Sequence, residues 1–392
     1  MGYRGFTVID SDGHVIEPWD LYATYTEEPF RERAQALVAR GQAVGHITAL
    51  NELQLGRPWR TRKRPLGAQE QWEEMPEHSL GKGGRHYKAR PQGGTDPHQT
   101  IQDLDDIGID VFIGFATSAT SLCGVGEPKL EAALVRAYNK WLRDFCAPYP
   151  KRLKGVAILP IIDPDLMIEE LERVAKEEWC VGIATMGHYG NYLPDHPRWY
   201  PMYELVQANE LPICFHSSGT DRPPYAPARG ELGDNPYLLH ATGHPWGIQR
   251  SMAATVAGGI YDLFPRLNFV YLEAWCGWLP GWIERLDGEA KKPDLRMSIP
   301  NLKGQPSDHL LGPRSFYSFD PDERLLPMVV NEVGAERMVW ASDYPHWDCP
   351  YDTMLTGVVD RAELTQEQKR LILGENALRL YPRVGAYATV TA

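Results

Sequence analysis

Eight short apolar runs rich in Val and Ile recur along the chain, and longer segments with a helical pattern follow most of them. This alternation is typical of β-α units around a parallel sheet, and eight strands of this kind predict a closed (β/α)8 TIM barrel. The predicted strands are residues 6–10, 110–115, 153–159, 180–186, 211–216, 268–273, 314–319 and 337–343. The predicted helices are residues 127–147, 164–178, 199–209, 245–264, 277–287, 322–333 and 365–381.

We expect residues 1–392 to form a single domain, because barrels with insertions reach this length. Residues 19–100 form a polar insertion after the first strand, and residues 219–244 form a Pro- and Gly-rich insertion after the fifth. Residues 363–392 are expected to be a C-terminal helix and tail. Segments that follow strands lie on the catalytic face of a barrel, so both insertions should help to build the pocket.

Composition and charge limit the partners and the cellular location that we expect for this protein. The net charge of −12 argues against nucleic acid as a general partner. Two basic segments, 60–64 and 81–90, are either solvated loops or a phosphate-binding surface for a substrate handle such as coenzyme A. No apolar run is long enough to cross a membrane, and the first residues do not resemble a signal peptide. Six scattered cysteines without a CxxC pair are typical of reduced thiols, so we expect a cytoplasmic protein.

Ionisable side chains follow five of the eight predicted strands. Because the carboxyl ends of parallel strands meet at one face of a barrel, these side chains are expected to converge. Burying so many ionisable groups together is costly unless a cation compensates them. The pattern therefore predicts a site for one or two divalent metal ions. The candidate ligands are Asp12, His14, His188, His216, Glu273 and Asp343, and His346 lies three residues beyond the last of them.

Four further residues allow two interpretations each. His240 and His244 have the spacing of helical ligands but lie in a predicted loop, so they either contact substrate or are structural. Trp275 either faces a ligand or packs in the core under the loop after the sixth strand. Glu17 either contributes to the metal site or belongs to an ordinary turn.

Five segments together resemble a known family of metalloenzymes: "DSDGHVIEP", "CFHSSG", "VYLEAWCGWLPGWIERLD", "WASDYPHWD" and "ILGENALRLYP". They resemble the amidohydrolase-related family that includes aminocarboxymuconate semialdehyde decarboxylase. The resemblance extends over nearly the whole chain and implies a TIM barrel with a metal at the carboxyl ends of the strands. It implies metal ligands at Asp12, His14, His216 and Asp343. Because relatives commonly form dimers, a homodimer is expected.

The sequence departs from that family at two positions. Asp12-x-His14 stands where the family has His-x-His, and Glu273 stands where it has a histidine after the sixth strand. Carboxylate-rich sites favour harder ions. With these two departures, the resemblance implies iron or manganese rather than zinc. Glu17, His188 and His346 leave room for a second ion, which Glu273 or Asp343 could bridge.

The main functional hypothesis is a non-haem diiron oxygenase, because the carboxylate-rich opening resembles oxygen-activating diiron enzymes on this barrel. Its substrate would be an acyl group, including one carried by coenzyme A, or another small organic acid. The alternative is a metal-dependent hydrolase or non-oxidative decarboxylase. There Glu273 would be a general base or proton shuttle, Asp343 a ligand and proton acceptor, and His346 part of a proton relay. A non-enzymatic, metal-stabilised barrel ranks last.

Overall fold

Eight parallel strands, each hydrogen-bonded to the next in sequence order, form the centre of the computed structural model. The structure describes residues 2–44, 93–124, 126–185, 187, 189, 192–216, 236–346, 349, 351 and 353–387. The strands are β1 Ile9–Val15, β2 Val111–Ala116, β3 Leu153–Ala157, β4 Cys180–Thr185, β5 Ile213–His216, β6 Phe269–Leu272, β7 Ser315–Phe319 and β8 Met338–Trp340. Helices follow the strands, so the predicted (β/α)8 TIM barrel is confirmed.

The helices lie outside this sheet. They are α1 Leu21–Tyr25, α2 Arg31–Val44, α3 Pro97–Ile107, α4 Pro128–Cys146, α5 Pro164–Val174, α6 Tyr200–Ala208, α7 Pro236–Ala257, α8 Ile260–Leu263, α9 Leu279–Ala290, α10 Pro293–Arg296, α11 Pro306–Leu310, α12 Leu326–Val333, α13 Thr356–Val359, α14 Gln366–Arg370 and α15 Asn376–Leu380. Several begin with an acidic cap and a proline, as at Asp163-Pro164, where the carboxylate accepts two backbone N–H groups. Among the helices described, none is both long and apolar enough to cross a membrane.

Backbone hydrogen bonds join the carboxyl end of β1 to the loop that follows β8. The amide nitrogen of Asp343 donates to the carbonyl oxygen of Asp12 at 3.1 Å, and that of His14 donates to Tyr344 at 2.6 Å. Strand β8 itself ends at Trp340, so Asp343 lies in the loop that follows and not in the predicted strand 337–343. The closing seam of the barrel therefore runs through the segments predicted to bind metal.

The insertion after β1 contains regular structure that its polar composition did not predict. Helices α1 and α2 lie within 19–100, and the indole nitrogen of Trp19 donates to the carbonyl oxygen of Val38 in α2 at 2.8 Å. Gly41 packs against the same indole, where a β-carbon would come within 2.2 Å of the ring nitrogen. A side-chain hydrogen bond and a close glycine contact thus hold α2 against the loop. The basic segments 60–64 and 81–90 lie outside the described residues.

The helix after β5 starts earlier and ends earlier than the predicted helix 245–264. Helix α7 begins at Pro236 and continues through Pro245 to Ala257. Gly259, with φ +64°, then separates α7 from the short helix α8. This left-handed conformation favours glycine, and a side chain there would meet the backbone of Asn301 at 2.5 Å. The last nine residues of the insertion 219–244 are therefore helical rather than loop.

Candidate metal centre

Four side chains predicted as metal ligands converge at the carboxyl ends of the strands. Asp12 and His14 belong to β1, His216 ends β5, and Asp343 follows β8. The Nε2 atom of His14 lies 3.3 Å from Nε2 of His216 and 3.3 Å from Oδ1 of Asp343. Oδ1 of Asp12 lies 3.5 Å from Nε2 of His216. The donor atoms of Asp12, His14 and His216 all lie within 4.8 Å of one another, a spacing that could hold a metal ion.

Burial at this cluster fits a cation. Asp12 is 2% exposed, and its Oδ1 accepts no hydrogen bond from the described part of the chain. A buried carboxylate oxygen without a donor is costly, and a cation would remove that cost. Burial, followed by the neighbouring imidazoles of His346 and His216, holds the pKa of His14 well below its usual range. His14 is therefore a neutral imidazole, the form that binds metal.

His346 connects Asp343 to the loop after β2. Its Nδ1 lies 2.7 Å from Oδ1 of Asp343, its ring stacks on His14 with centroids 3.9 Å apart, and its Nε2 lies 3.0 Å from the hydroxyl of Thr117. The Thr117 hydroxyl donates its one proton to the carbonyl oxygen of Val15. It therefore accepts from His346, so the hydrogen-bond network assigns a proton to Nε2 of this ring.

Glu273 lies directly after β6, with φ +52°, a left-handed conformation that is rare outside glycine. Its Oε2 lies 3.0 Å from Nε2 of His216, and its Oε1 lies 3.4 Å from Nδ1 of His244. Asp343 has a similar backbone angle, φ +54°. Strained conformations of this kind persist where the surrounding structure determines them and are common at functional sites.

The predicted substrate contacts line one cavity of about 620 Å³ beside this cluster. Asp12, Glu273 and Asp343 line the same cavity, so the metal-site candidates and the substrate candidates share one space. Trp275, one of those candidates, is 60% exposed. The other two, His240 and His244, lie on helix α7 with ring centroids 4.7 Å apart, and not in the loop expected from the sequence.

Two candidate metal ligands, Glu17 and His188, are not among the side chains placed in this cluster. The carboxylate of Glu17 accepts the backbone N–H groups of Ser118 and Ala119 and the hydroxyl of Ser118, so it joins the loops after β1 and β2. It is in neither group of ligand-spaced side chains found among the described residues. Burial raises its pKa. His188 lies outside the described residues.

Several supporting residues carried no usable sequence signal. The buried carboxylate of Asp10 accepts the backbone N–H of Ser342 at 2.9 Å and also its hydroxyl, which fixes the loop that carries Asp343. Burial raises the pKa of Asp10 to about 7. The hydroxyl of Ser318 accepts the backbone N–H of Glu273 at 3.0 Å. Asp10 stands in the first conspicuous motif, but only the fold shows what it contacts.

A model of the family described as Amidohydrolase matches residues 9–383. The chain belongs to the amidohydrolase family. The resemblance inferred from the five motifs is thereby confirmed. A gamma-resorcylate decarboxylase from Rhodococcus jostii is 26% identical over 257 residues, which are 62% of this chain and 75% of that protein. A 2-amino-3-carboxymuconate-6-semialdehyde decarboxylase from Dictyostelium discoideum is 24% identical over 303 residues, 75% of this chain and 79% of that protein.

A solved member of the same fold supplies a structural comparison. The 5-carboxyvanillate decarboxylase from Novosphingobium aromaticivorans, complexed with manganese and 4-hydroxy-3-methoxy-5-nitrobenzoic acid, superposes with a TM-score of 0.67. The match is 18% identical in sequence and covers 97% of each chain. The main hypothesis of a diiron oxygenase is wrong, because the proteins compared above are decarboxylases and none of them is an oxygenase. The alternative hypothesis, a metal-dependent hydrolase or decarboxylase, agrees better with them.

Proposed function

We propose that this protein is a metal-dependent, non-oxidative decarboxylase that releases CO2 from a small aromatic acid. One observation carries the proposal. In a chain similar to several decarboxylases, Asp12, His14, His216 and Asp343 converge at the carboxyl ends of the strands, and the two carboxylates among them line a cavity. Catalytic groups of TIM barrels lie at this face.

These four side chains would hold one divalent cation. Two carboxylates and two imidazoles suit Mn²⁺, Fe²⁺ and Zn²⁺ alike, and we take Mn²⁺ as the first candidate because a structural neighbour contains manganese. Iron, preferred from the sequence, has no such support. When bound, the cation would act as a Lewis acid that orients the carboxylate of the substrate.

Asp343 and His346 would manage the proton that the reaction consumes. Decarboxylation breaks the bond between a ring carbon and its carboxylate, releases CO2, and leaves that carbon with a new hydrogen. Oδ1 of Asp343 and Nδ1 of His346 lie 2.7 Å apart, close enough to share a proton, and Asp343 lines the cavity into which that proton would be delivered. The hydrogen bond to Thr117 keeps the other ring nitrogen of His346 protonated.

The remaining cavity wall fits the ring of such a substrate. Its volume, about 620 Å³, is in the usual range for a small-molecule site. Trp275, Trp278, Tyr237 and Phe319 supply aromatic surface around it. The partner expected at this site is therefore a small aromatic acid. The coenzyme A handle and the homodimer stay predictions, and size-exclusion chromatography would test the second.

The deciding experiment measures CO2 release from a panel of aromatic acids that includes 2,6-dihydroxybenzoate and 5-carboxyvanillate. The protein is stripped with chelator and reloaded with Mn²⁺, and assays run in air, under nitrogen and in D2O. We expect equal rates with and without O2, and one deuterium at the carbon that loses CO2. Asp343→Asn, matched for manganese content, should lose at least about a hundredfold in kcat.

Other results would contradict the proposal. A requirement for O2 would exclude non-oxidative chemistry. Water addition or hydrolysis without CO2 release would assign a different metal-dependent reaction to the same site. Product lacking deuterium at the vacated carbon would remove the proton-delivery role of Asp343.

A further inference from the structure

The backbone of Glu273 is held from both sides. Its φ of +52° is a conformation that a non-glycine residue keeps only when neighbours enforce it. The N–H of Glu273 donates to the hydroxyl of Ser318 at 3.0 Å. The carbonyl oxygen of Glu273 lies 3.1 Å from Nδ1 of His244. Because a carbonyl oxygen only accepts, Nδ1 of His244 carries the proton and donates it.

The same histidine also contacts the side chain it orients. Nδ1 of His244 lies 3.4 Å from Oε1 of Glu273, and the other carboxylate oxygen lies 3.0 Å from Nε2 of His216. His244 is 7% exposed and lies inside helix α7, directly before Pro245. One buried imidazole therefore contacts both the backbone and the carboxylate of Glu273, and that carboxylate faces a candidate metal ligand.

We propose that His244 is a positioning residue for Glu273. By donating Nδ1–H to the carbonyl oxygen, it keeps Glu273 in the left-handed conformation that directs the carboxylate at His216. Without this donor the backbone would relax toward an extended conformation, and the carboxylate would leave His216. The inference rests on the proposed function only in taking His216 as a ligand of the metal centre.

Two substitutions of His244 distinguish the effect of the hydrogen-bond donor at Nδ1 from the effect of side-chain size. The side-chain nitrogen of His244→Asn occupies the place of Nδ1, whereas that of His244→Gln occupies the place of Nε2. The readout is the Kd of Mn²⁺ for the stripped protein, measured by titration calorimetry, with no substrate present. Supporting residues around metal ligands change metal affinity by about 10- to 100-fold, so we expect about tenfold weaker binding for His244→Gln. His244→Asn should stay within about threefold of wild type.

The role through Glu273 is tested by a double-mutant cycle. In a Glu273→Gln background, His244→Gln should weaken Mn²⁺ binding no further, because the carboxylate it positions is gone. An additional loss, equal losses in the Asn and Gln variants, or unchanged binding in His244→Gln would each overturn the proposal.

A measurement on the wild type covers the case in which a variant fails to fold. Histidine-selective ¹⁵N labelling of the stripped protein should show His244 with a protonated Nδ1, and an unprotonated Nδ1 would refute the proposed donor. These readouts need no turnover. If the decarboxylase assay fails while the His244 and Glu273 variants change Mn²⁺ affinity as expected, only the proposed function is refuted.

Discussion

The amide nitrogen of Asp343 donates a hydrogen bond to the carbonyl oxygen of Asp12 at 3.1 Å. This bond lies where the loop after β8 meets β1, so barrel closure joins two candidate ligands that are far apart in the sequence. A ligand set that exists only in the closed barrel stabilises the folded state when it binds, because the unfolded chain offers no such site.

Removal of metal should therefore lower the unfolding temperature. At a Mn²⁺ concentration a hundred times its Kd, the folded state gains about 2.7 kcal/mol. For a domain of this size that corresponds to a rise of roughly 3 °C, measured by calorimetry of chelated and reloaded protein. Unchanged melting at saturating Mn²⁺ would show that the cluster binds no such ion.

Asp12→Asn should separate metal binding from folding. Oδ1 of Asp12 is buried without a hydrogen-bond donor among the described residues, so a neutral amide removes a charge that only a cation would compensate. We expect Mn²⁺ affinity to fall roughly a hundredfold. The metal-free variant should unfold at a urea concentration no lower than metal-free wild type. Asp20→Asn, at an exposed position, is the control, and a metal affinity equal to wild type in Asp12→Asn would exclude Asp12 as a ligand.

Thr117→Val should reduce turnover without removing metal. Thr117 accepts the Nε2 proton of His346, and valine keeps the shape but leaves that N–H without its acceptor. A loss of about 2 kcal/mol in the transition state corresponds to roughly a thirtyfold lower kcat/KM. Thr117→Ser, which keeps the hydroxyl, should retain activity. Manganese content, measured by mass spectrometry, should match wild type in both variants, and full activity in Thr117→Val would contradict the role of this contact.

The carboxyl group of Glu131 should make stability depend on pH. It accepts the N–H groups of Gly124, Ile161 and Ile162, and burial raises its pKa above the usual value of 4.5. The unfolded chain ionises first as pH rises, so this residue's contribution is full below pH 4.5 and is lost as pH rises through the raised pKa. The destabilisation caused by Glu131→Gln should therefore shrink as pH rises.

Urea unfolding at several pH values between about 4 and 8 measures that difference against wild type. Glu172→Gln, at an exposed position, should show no such trend. A Glu131→Gln penalty that grows with pH would mean that the carboxylate is stabilised, rather than disfavoured, by its surroundings.

Much of the architecture could be predicted from local pattern. Short apolar runs separated by helical stretches located seven of the eight strands to within a few residues, because a strand of a parallel barrel is buried on both faces and reads as continuous apolar sequence. Strand β1, Ile9–Val15, instead extends well past the predicted residues 6–10, because most of its buried residues are polar and do not read as an apolar run. The same reasoning failed in the polar insertion 19–100. Helix α2 has no strong local signal there and is held by tertiary contacts of Trp19 with Val38 and Gly41.

The sequence predicted the ligands of the candidate site but not its reaction. Asp12, His14, His216 and Asp343 could be named from sequence because each follows an apolar run, and strand ends meet at one face of a barrel. The reaction could not be named, since one ligand set supports several chemistries, and relatives corrected the oxygenase hypothesis.

The sequence alone determined that a barrel forms and that ionisable groups gather at its carboxyl face, because burial and chain direction depend on local order. Tertiary structure decided that Thr117 supports His346, that Ser318 and His244 hold Glu273, and that Glu17 joins two loops instead of facing the ligands. Those contacts join residues separated by 29 to 229 positions. Their geometry depends on the angle at which whole elements pack, and no local pattern records that angle.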